Sequence, residues 1–364
     1  MTSSVGSTTG AAPTAVAGTA RATAAPPPRS GRSALRRQER WAGWLFVLPA
    51  LAILLIFLIV PIGFAFYISL TRWDGLSSPF GGGAKFVGLD NYKNLITVDN
   101  LTRQNFATSI RNNVYFVLFV VPLQTGLALG LAVLLNNKFL KGRSFFRTAF
   151  FFPSVTSSIA TTLVFLFLFS GGGAVNSLLN VVGIRGPNWT ADSRGVFHQV
   201  LRVFGVTSPP GWTQHQFFNL SWWDWLSGPS IALTVIIILV VWTTSGTFML
   251  MFLAGLQNIN EEVLEASEVD GATSWQRFRM VTPMLRPTLI LVLTLGLIST
   301  WQVFDQIYLT GNNPATITPA YLSYSQSFRN SAFGIGAAIA FLLFGLIIVL
   351  AALQRRLVGS GEDD

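Results

Sequence analysis

Six apolar runs, each about the length needed to cross a bilayer, constrain this chain more than any other feature. They lie near residues 44–70, 113–136, 149–170, 230–254, 288–309 and 334–353. A helix needs about 20 apolar residues to cross the hydrocarbon core. Barrel strands are about half that length, and a lone span must satisfy its backbone hydrogen bonds internally, so the runs predict helices. Composition agrees, because only 11% of the 364 residues are charged, against roughly 25% in soluble domains. The expected fold class is an all-α integral membrane protein with six transmembrane helices in one domain, residues 41–355.

Several function classes drop out at once. There are no cysteines and only two histidines, His198 and His215. Disulfides, thiolate metal sites and a cysteine nucleophile are excluded, and no metal site is expected. The net charge of +9 would suggest nucleic acid in a soluble protein. Here it reads as basic residues flanking spans, so no nucleic-acid partner is expected. No G-x-x-x-x-G-K-[ST] phosphate loop occurs, so ATP is not bound by the usual device. The triple glycines 81–83 and 171–173 lack that context and read as flexible outer loops. No catalytic constellation is found, and the chain reads as a non-enzyme with no directly bound cofactor.

Residues 1–40 open with an Ala, Thr, Ser, Gly and Pro-rich stretch and read as a disordered tail. The run after it is too long for a signal-peptide core, and Arg36-Arg37 reads as flanking charge ahead of a first span. Basic residues then fix orientation. Arg32, Arg36, Arg37 and Arg40, then Lys138, Lys141, Arg143 and Arg147, then Arg277, Arg279 and Arg286, and finally Arg355 and Arg356 all fall on one side of a six-span chain. Both termini, including the tail 356–364, are therefore expected in the cytoplasm. On the opposite side lie residues 71–112 and a large loop, 171–229. That loop holds Trp189, Trp212, Trp222, Trp223 and Trp225. Trp222-Trp223-Asp224-Trp225 reads as an interfacial aromatic belt, with a docking or sugar-stacking surface as the alternative. Pro49, Pro61, Pro122 and Pro153 read as tolerated kinks.

One segment does not fit a plain bundle. Residues 255–287 form a cytoplasmic loop, and within it EEVLEASEVDGATSWQRFRMVTPMLRP (261–287) is too charged for lipid and too patterned for slack chain. Glu261, Glu265 and Glu268 fall at i, i+4 and i+7, an acidic helical stripe. Val263, Ala266 and Val269 make a second, apolar face. Acids at the start and Arg277 and Arg279 near the end suit helix dipoles. Gly271 interrupts the pattern and permits a sharp turn, after which a second helix runs through Trp275 and Phe278 to Pro283. Two short helices at an angle would make a docking knob for a basic partner.

Glu265-Ala266-Ser267, Asp270-Gly271-Ala272, Phe278 and Pro283 resemble the EAA loop of ABC importer permeases, with Ser267 and Thr282 as small departures. Further segments are similar to the MalF-like branch of carbohydrate permeases, of the maltose, trehalose and glycerol-phosphate type. They include Leu48-Pro49-Ala50, FVGLDNY at 86–92, Asn112-Asn113, VPLQ at 121–124, GRSFFR at 142–147, FLAGLQ at 252–257 and Val303-Phe304-Asp305. The resemblance covers about residues 41–355, and the stretch near 190–225 is longer than in compact members.

The resemblance implies a six-span permease of the MetI-like fold, one half of a sugar pore in the bacterial cell membrane. Its implied partners are a second, MalG-like permease, two copies of an ABC ATPase that use ATP and Mg, an external sugar-binding protein, and membrane lipid. Residues 265–267, 270–272, Phe278 and Pro283 would then couple to the ATPase. A sugar needs hydroxyl-matching groups and flat apolar faces, which makes Asn113, Gln124, Trp242, Trp301, Gln302, Asp305 and Tyr308 the pathway candidates. Asp305 is the only carboxylate within the predicted spans. Other polar residues in the spans read as helix packing. A permease for a non-sugar solute, and a membrane enzyme acting on lipid-linked sugar, are the alternatives.

Overall fold

The computed structural model describes residues 30–80, 82–137, 140–311 and 313–359. It divides into two compact units, residues up to Pro61 and residues from Ile62. The first unit is helical, with α1 spanning Ser30–Leu54, then one π-turn at Leu55–Ile59. Residues 30–40, expected to be disordered, are the start of α1. They follow the last proline of the tail and are rich in Ala, Leu, Arg, Gln and Glu, good helix formers. The rest of the predicted tail, residues 1–29, lies outside the described residues.

The second unit opens in α2 (Val60–Ser69), which completes the first apolar run, Trp41–Ser69. A small hairpin of β1 (Thr71–Arg72) and β2 (Lys85–Phe86) and helix α3 (Asp90–Ile96) follow. Asn91 pins this corner, its amide donating to the Ser69 and Thr71 carbonyls at 2.8 Å each. Helix α4 (Leu101–Asn136) starts well before the predicted 113, because Asn100 caps it by accepting from the Arg103 N–H at 2.8 Å. Residues 101–112, assigned to a loop from sequence, are therefore helix.

The third run is not one straight helix. α5 (Arg143–Val155) and α6 (Ser158–Leu168) meet at 94°. The break falls at Thr156-Ser157, where the backbone leaves the helical region and Thr156 is extended. Short hydroxylated side chains compete there for helix carbonyls, as the Thr156 hydroxyl does in donating to Phe152 O at 3.1 Å. Among the described residues five helices are long and apolar enough to span, and six if this bent pair is one.

Residues 171–229 are folded rather than slack. α7 (Ala174–Val181), α8 (Val196–Val203), strands β3 (Gln216–Phe217) and β4 (Leu220–Ser221), and the single turn α9 (Trp222–Trp225) follow in order. Glycines 171–173, read as flexible, form a packed turn. A Cβ on Gly173 would sit 2.3 Å from the Leu168 carbonyl. The Trp222–Trp225 belt is bound into this segment. Trp223 stacks on His198 at 4.1 Å, Trp222 on Phe217 at 5.8 Å, and the Trp225 indole donates to Phe217 O at 3.1 Å.

α10 (Ile231–Gln257) is the central helix, packed most extensively on α4 and then on α5. It is apolar all round, which accounts for its low amphipathicity, and just over half of it is buried, with Ile238 and Trp242 left exposed. Two short helices, α11 (Glu261–Val269) and α12 (Ser274–Met284), lead into α13 (Arg286–Trp301). The fifth run breaks after Trp301, and α14 (Asp305–Leu309) restarts it. α15 (Pro319–Tyr324) and α16 (Phe333–Gly359) complete the unit.

Candidate functional site: a helical elbow and a hydroxyl-lined cavity

Two features share the helices α10 and α13. The first is the elbow of α11 and α12. Asn260 caps α11 by accepting from Glu262 N–H at 3.1 Å. The helix ends in a Schellman arrangement: Gly271 N–H donates to Glu268 O and Ala272 N–H to Ser267 O, both at 3.0 Å. Gly271 takes φ +72° there, the left-handed backbone that glycine adopts most easily. A capping box between Thr273 and Gln276 starts α12 at once. Glu268 and Arg277 then form an ion pair across the elbow.

The predicted coupling residues gather on this elbow. Glu265, Ala266, Asp270 and Gly271 are exposed, Ala272 is half-buried and Ser267 is buried. Ala266, Ser267, Asp270, Gly271 and Ala272 line one open cleft of about 630 Å³ between the two helices. Phe278 stacks on the exposed Trp275 at 5.6 Å, and Pro283 lies exposed in the last turn of α12.

The elbow is anchored rather than tethered. Val281 and Leu285 are buried against Phe252, Leu253 and Leu256 of α10 and Val292 of α13. Gly255 allows the close approach, since a Cβ there would lie 2.7 Å from the Thr288 hydroxyl.

The second feature is a pair of adjoining cavities of about 250 and 510 Å³ where α13 breaks and α5 bends. They share Thr244, Ser299, Gln302 and Gln306. The larger is walled by eight hydroxyls: Ser154, Thr156, Ser158, Thr161, Thr243, Thr244, Thr247 and Ser299. Phe304 and Asp305 line the smaller one. Gln306 reaches across to donate to the Ser158 hydroxyl at 3.0 Å, joining the restarted span to the bend.

The sequence-derived pathway candidates separate into two groups, with Trp242 in neither. Gln302 and Asp305 line the cavity, and Tyr308, half-exposed, stacks on Phe304 at 5.7 Å one turn beyond. Asn113, Gln124 and Trp301 are instead buried among the helices. The Asn113 amide donates to Trp301 O at 3.3 Å, and Gln124 accepts from the Thr244 hydroxyl at 2.7 Å. Trp242 packs on Phe165 at 5.5 Å and lines neither cavity. Most of the hydroxyl wall was read from sequence as helix packing. Its signal is present in retrospect: Thr243, Thr244 and Thr247 recur on one face of α10, and Ser154, Thr156, Ser158 and Thr161 crowd one otherwise apolar run.

Residues 124–359 match the family described as "Binding-protein-dependent transport system inner membrane component". The lactose transport system permease protein LacF of Rhizobium radiobacter is 32% identical over 332 residues, 89% of this chain and 96% of that protein. The trehalose/maltose transport system permease protein MalF of Thermococcus litoralis is 32% identical over 319 residues, 87% of this chain and 93% of that protein. A crystal structure of a bacterial ABC transporter involved in import of the acidic polysaccharide alginate superposes with a TM-score of 0.66 at 20% identity. It covers 91% of this chain and 100% of the matched chain.

Proposed function

Because the chain belongs to the binding-protein-dependent transport system inner membrane component family, we propose that it is the permease subunit of an ABC importer that carries a sugar into the cell. It is a transport subunit rather than an enzyme. Relatives named for lactose and for trehalose and maltose support the sugar reading. The single observation in this chain that carries it is the cavity wall: eight hydroxyls and two glutamine amides, with Phe304 as a flat apolar face. Such a wall can donate to and accept from sugar hydroxyls, and its size suits a small-molecule site.

The partners in this reading are a second, MalG-like permease completing the pore, two ATPase subunits that hold ATP and Mg, and an external sugar-binding protein. A transporter in this fold group has been crystallised with its pentasaccharide-bound periplasmic protein. The elbow faces the cytoplasm and seats on one ATPase, with both termini on the same side, in keeping with the distribution of Arg and Lys.

The geometry supplies a mechanical route. Thr244 and Gln257 lie thirteen positions apart, as do Arg286 and Ser299. At 1.5 Å per residue each helix runs about 20 Å from elbow to cavity, which sets the cavity well inside a hydrocarbon core about 30 Å thick. Displacing the elbow therefore moves two walls of the cavity together. ATP and the loaded binding protein need only stabilise different arrangements of those walls to drive alternating access.

The test is purification of the chain from its native membrane in a gentle detergent, with mass spectrometry of what accompanies it. A second six-span permease and an ABC ATPase are expected. A chain that purifies alone at good yield contradicts the assignment.

A further inference from the structure

We propose that Asp305 makes the cavity a charge filter, so that the chain passes uncharged saccharides and rejects anionic ones such as uronates and sugar phosphates. The inference rests on the sugar reading and adds a specificity-determining residue to it. Among the described residues, the two cavity walls contain no Lys, Arg or His, and Asp305 is their only charged side chain. Asp305 is exposed, and among the described residues none of the ion pairs Lys93–Asp90, Arg194–Asp192 or Arg277–Glu268 involves it. An uncompensated carboxylate in a cleft with low-dielectric walls focuses its field into that cleft.

The remaining wall discriminates weakly by charge. Hydroxyls and amides satisfy a neutral sugar's donors and acceptors equally well. A carboxylate or phosphate entering here would leave most of its hydration shell and find no guanidinium or ammonium to replace it. It would also face Asp305 at close range. Both terms disfavour the anion, and a like charge placed against a competitor is an ordinary route to specificity. A neutral sugar meets neither cost, and Asp305 can accept a hydrogen bond from its hydroxyls.

The natural absence of cysteine makes the test direct. Ser299→Cys puts one near-isosteric thiol in the wall shared with Asp305. The assembled complex is labelled in turn with cationic, neutral and anionic methanethiosulfonates of similar size, and rates are normalised to free thiol. The cationic reagent is expected to react roughly tenfold faster than the anionic one, as for a unit charge acting within one Debye length. Asp305→Asn is expected to bring the ratio near one, and Asp305→Glu to keep it. A ratio near one in the Ser299→Cys chain overturns the filter, and so does a ratio unchanged by Asp305→Asn.

A second arm slows labelling by the neutral reagent with 50 mM-class concentrations (on the order of the weak affinities expected of a transit site) of lactose, maltose, glucose or glucuronate. Protection by at least one neutral sugar, none by glucuronate, and glucuronate protection gained in Asp305→Asn are the expected results. Equal protection by glucose and glucuronate overturns the filter while leaving the sugar site standing. A charge ratio with no protection by any neutral sugar overturns the sugar reading, and with it this proposal.

Discussion

Replacing Gly271 separates the backbone conformation of the elbow from its surface chemistry. The residue sits at φ +72°, and a Cβ built there meets nothing within 4 Å. A substitution therefore adds no clash within the chain, and its cost is conformational. For an L-residue the left-handed region costs roughly 1–2 kcal/mol, with Asn among the few that visit it readily. Gly271→Val, bulky and β-branched, belongs at the top of that range. About 2 kcal/mol shifts the Schellman turn roughly thirtyfold away from its native form. Gly271→Ala should shift it about fivefold at ~1 kcal/mol, and Gly271→Asn by less. The assay is ATP-driven uptake in proteoliposomes, with ATPase retention and membrane level measured on the same preparations. Val is expected to uncouple uptake or release the ATPase at normal membrane level, with Ala intermediate and Asn near native. Native uptake in Val would refute the elbow's role. Equal loss in Val and Asn, which are similar in size, would show that the surface is sensed there and the backbone is not.

Other perturbations have distinct signatures. Leu285→Ala removes a side chain only 3% exposed from the anchor of the elbow and should cost about 2–5 kcal/mol of local packing. Cavity labelling should then stop responding to nucleotide while the ATPase remains bound. Gly296→Ala would set a Cβ 2.5 Å from the fully buried Gln124 amide. The expected cost is about 1–3 kcal/mol, read as a lowered melting temperature in detergent. Burial behind Trp223 holds the His198 imidazole below its ordinary pKa, opposed in part by the Trp223 carbonyl. A depressed histidine pKa means the unfolded chain takes up the proton first, so its contribution is full above the ordinary value and is lost as pH falls through the folded one. Hydrogen-exchange protection of residues 196–225, corrected for the intrinsic pH dependence of exchange, should fall between neutral and mildly acidic pH, and His198→Gln should flatten that response.

The parts of the fold legible in the sequence were those carried by long patterns. Apolar runs located the spans, and the glycine within an otherwise helical charged segment located the elbow down to the residue that turns it. Breaks within runs were hidden because hydropathy averages over them. Thr156-Ser157 and Gln302–Phe304 barely dent an apolar window, yet the first bends the third run by 94° and the second interrupts the fifth run beside the cavity. The cavity wall was misread for a related reason. A threonine that satisfies its hydroxyl on its own helix, as Thr243 does on Leu239 O, looks like a packing residue until the facing helix is known to bend away. Conversely, Asn113, Gln124 and Trp301 carry the polar and aromatic groups a sugar would need, but three neighbouring helices bury them. Which polar residue faces a cavity depends on helix rotation, and only the packing of α4, α10 and α13 fixes that.

In the proposed mechanism the elbow and the cavity move as one body through α10 and α13. A single cysteine at Thr247, on the hydroxyl wall, reports this in the reconstituted complex. Its labelling rate would be followed without nucleotide and with a non-hydrolysable ATP analogue, in the otherwise native chain and with Gly271→Val. A several-fold change in rate on adding nucleotide, absent in Gly271→Val with the ATPase still bound, is the predicted result. A nucleotide response that persists unchanged in Gly271→Val and in Leu285→Ala would show that the signal reaches the cavity by another route.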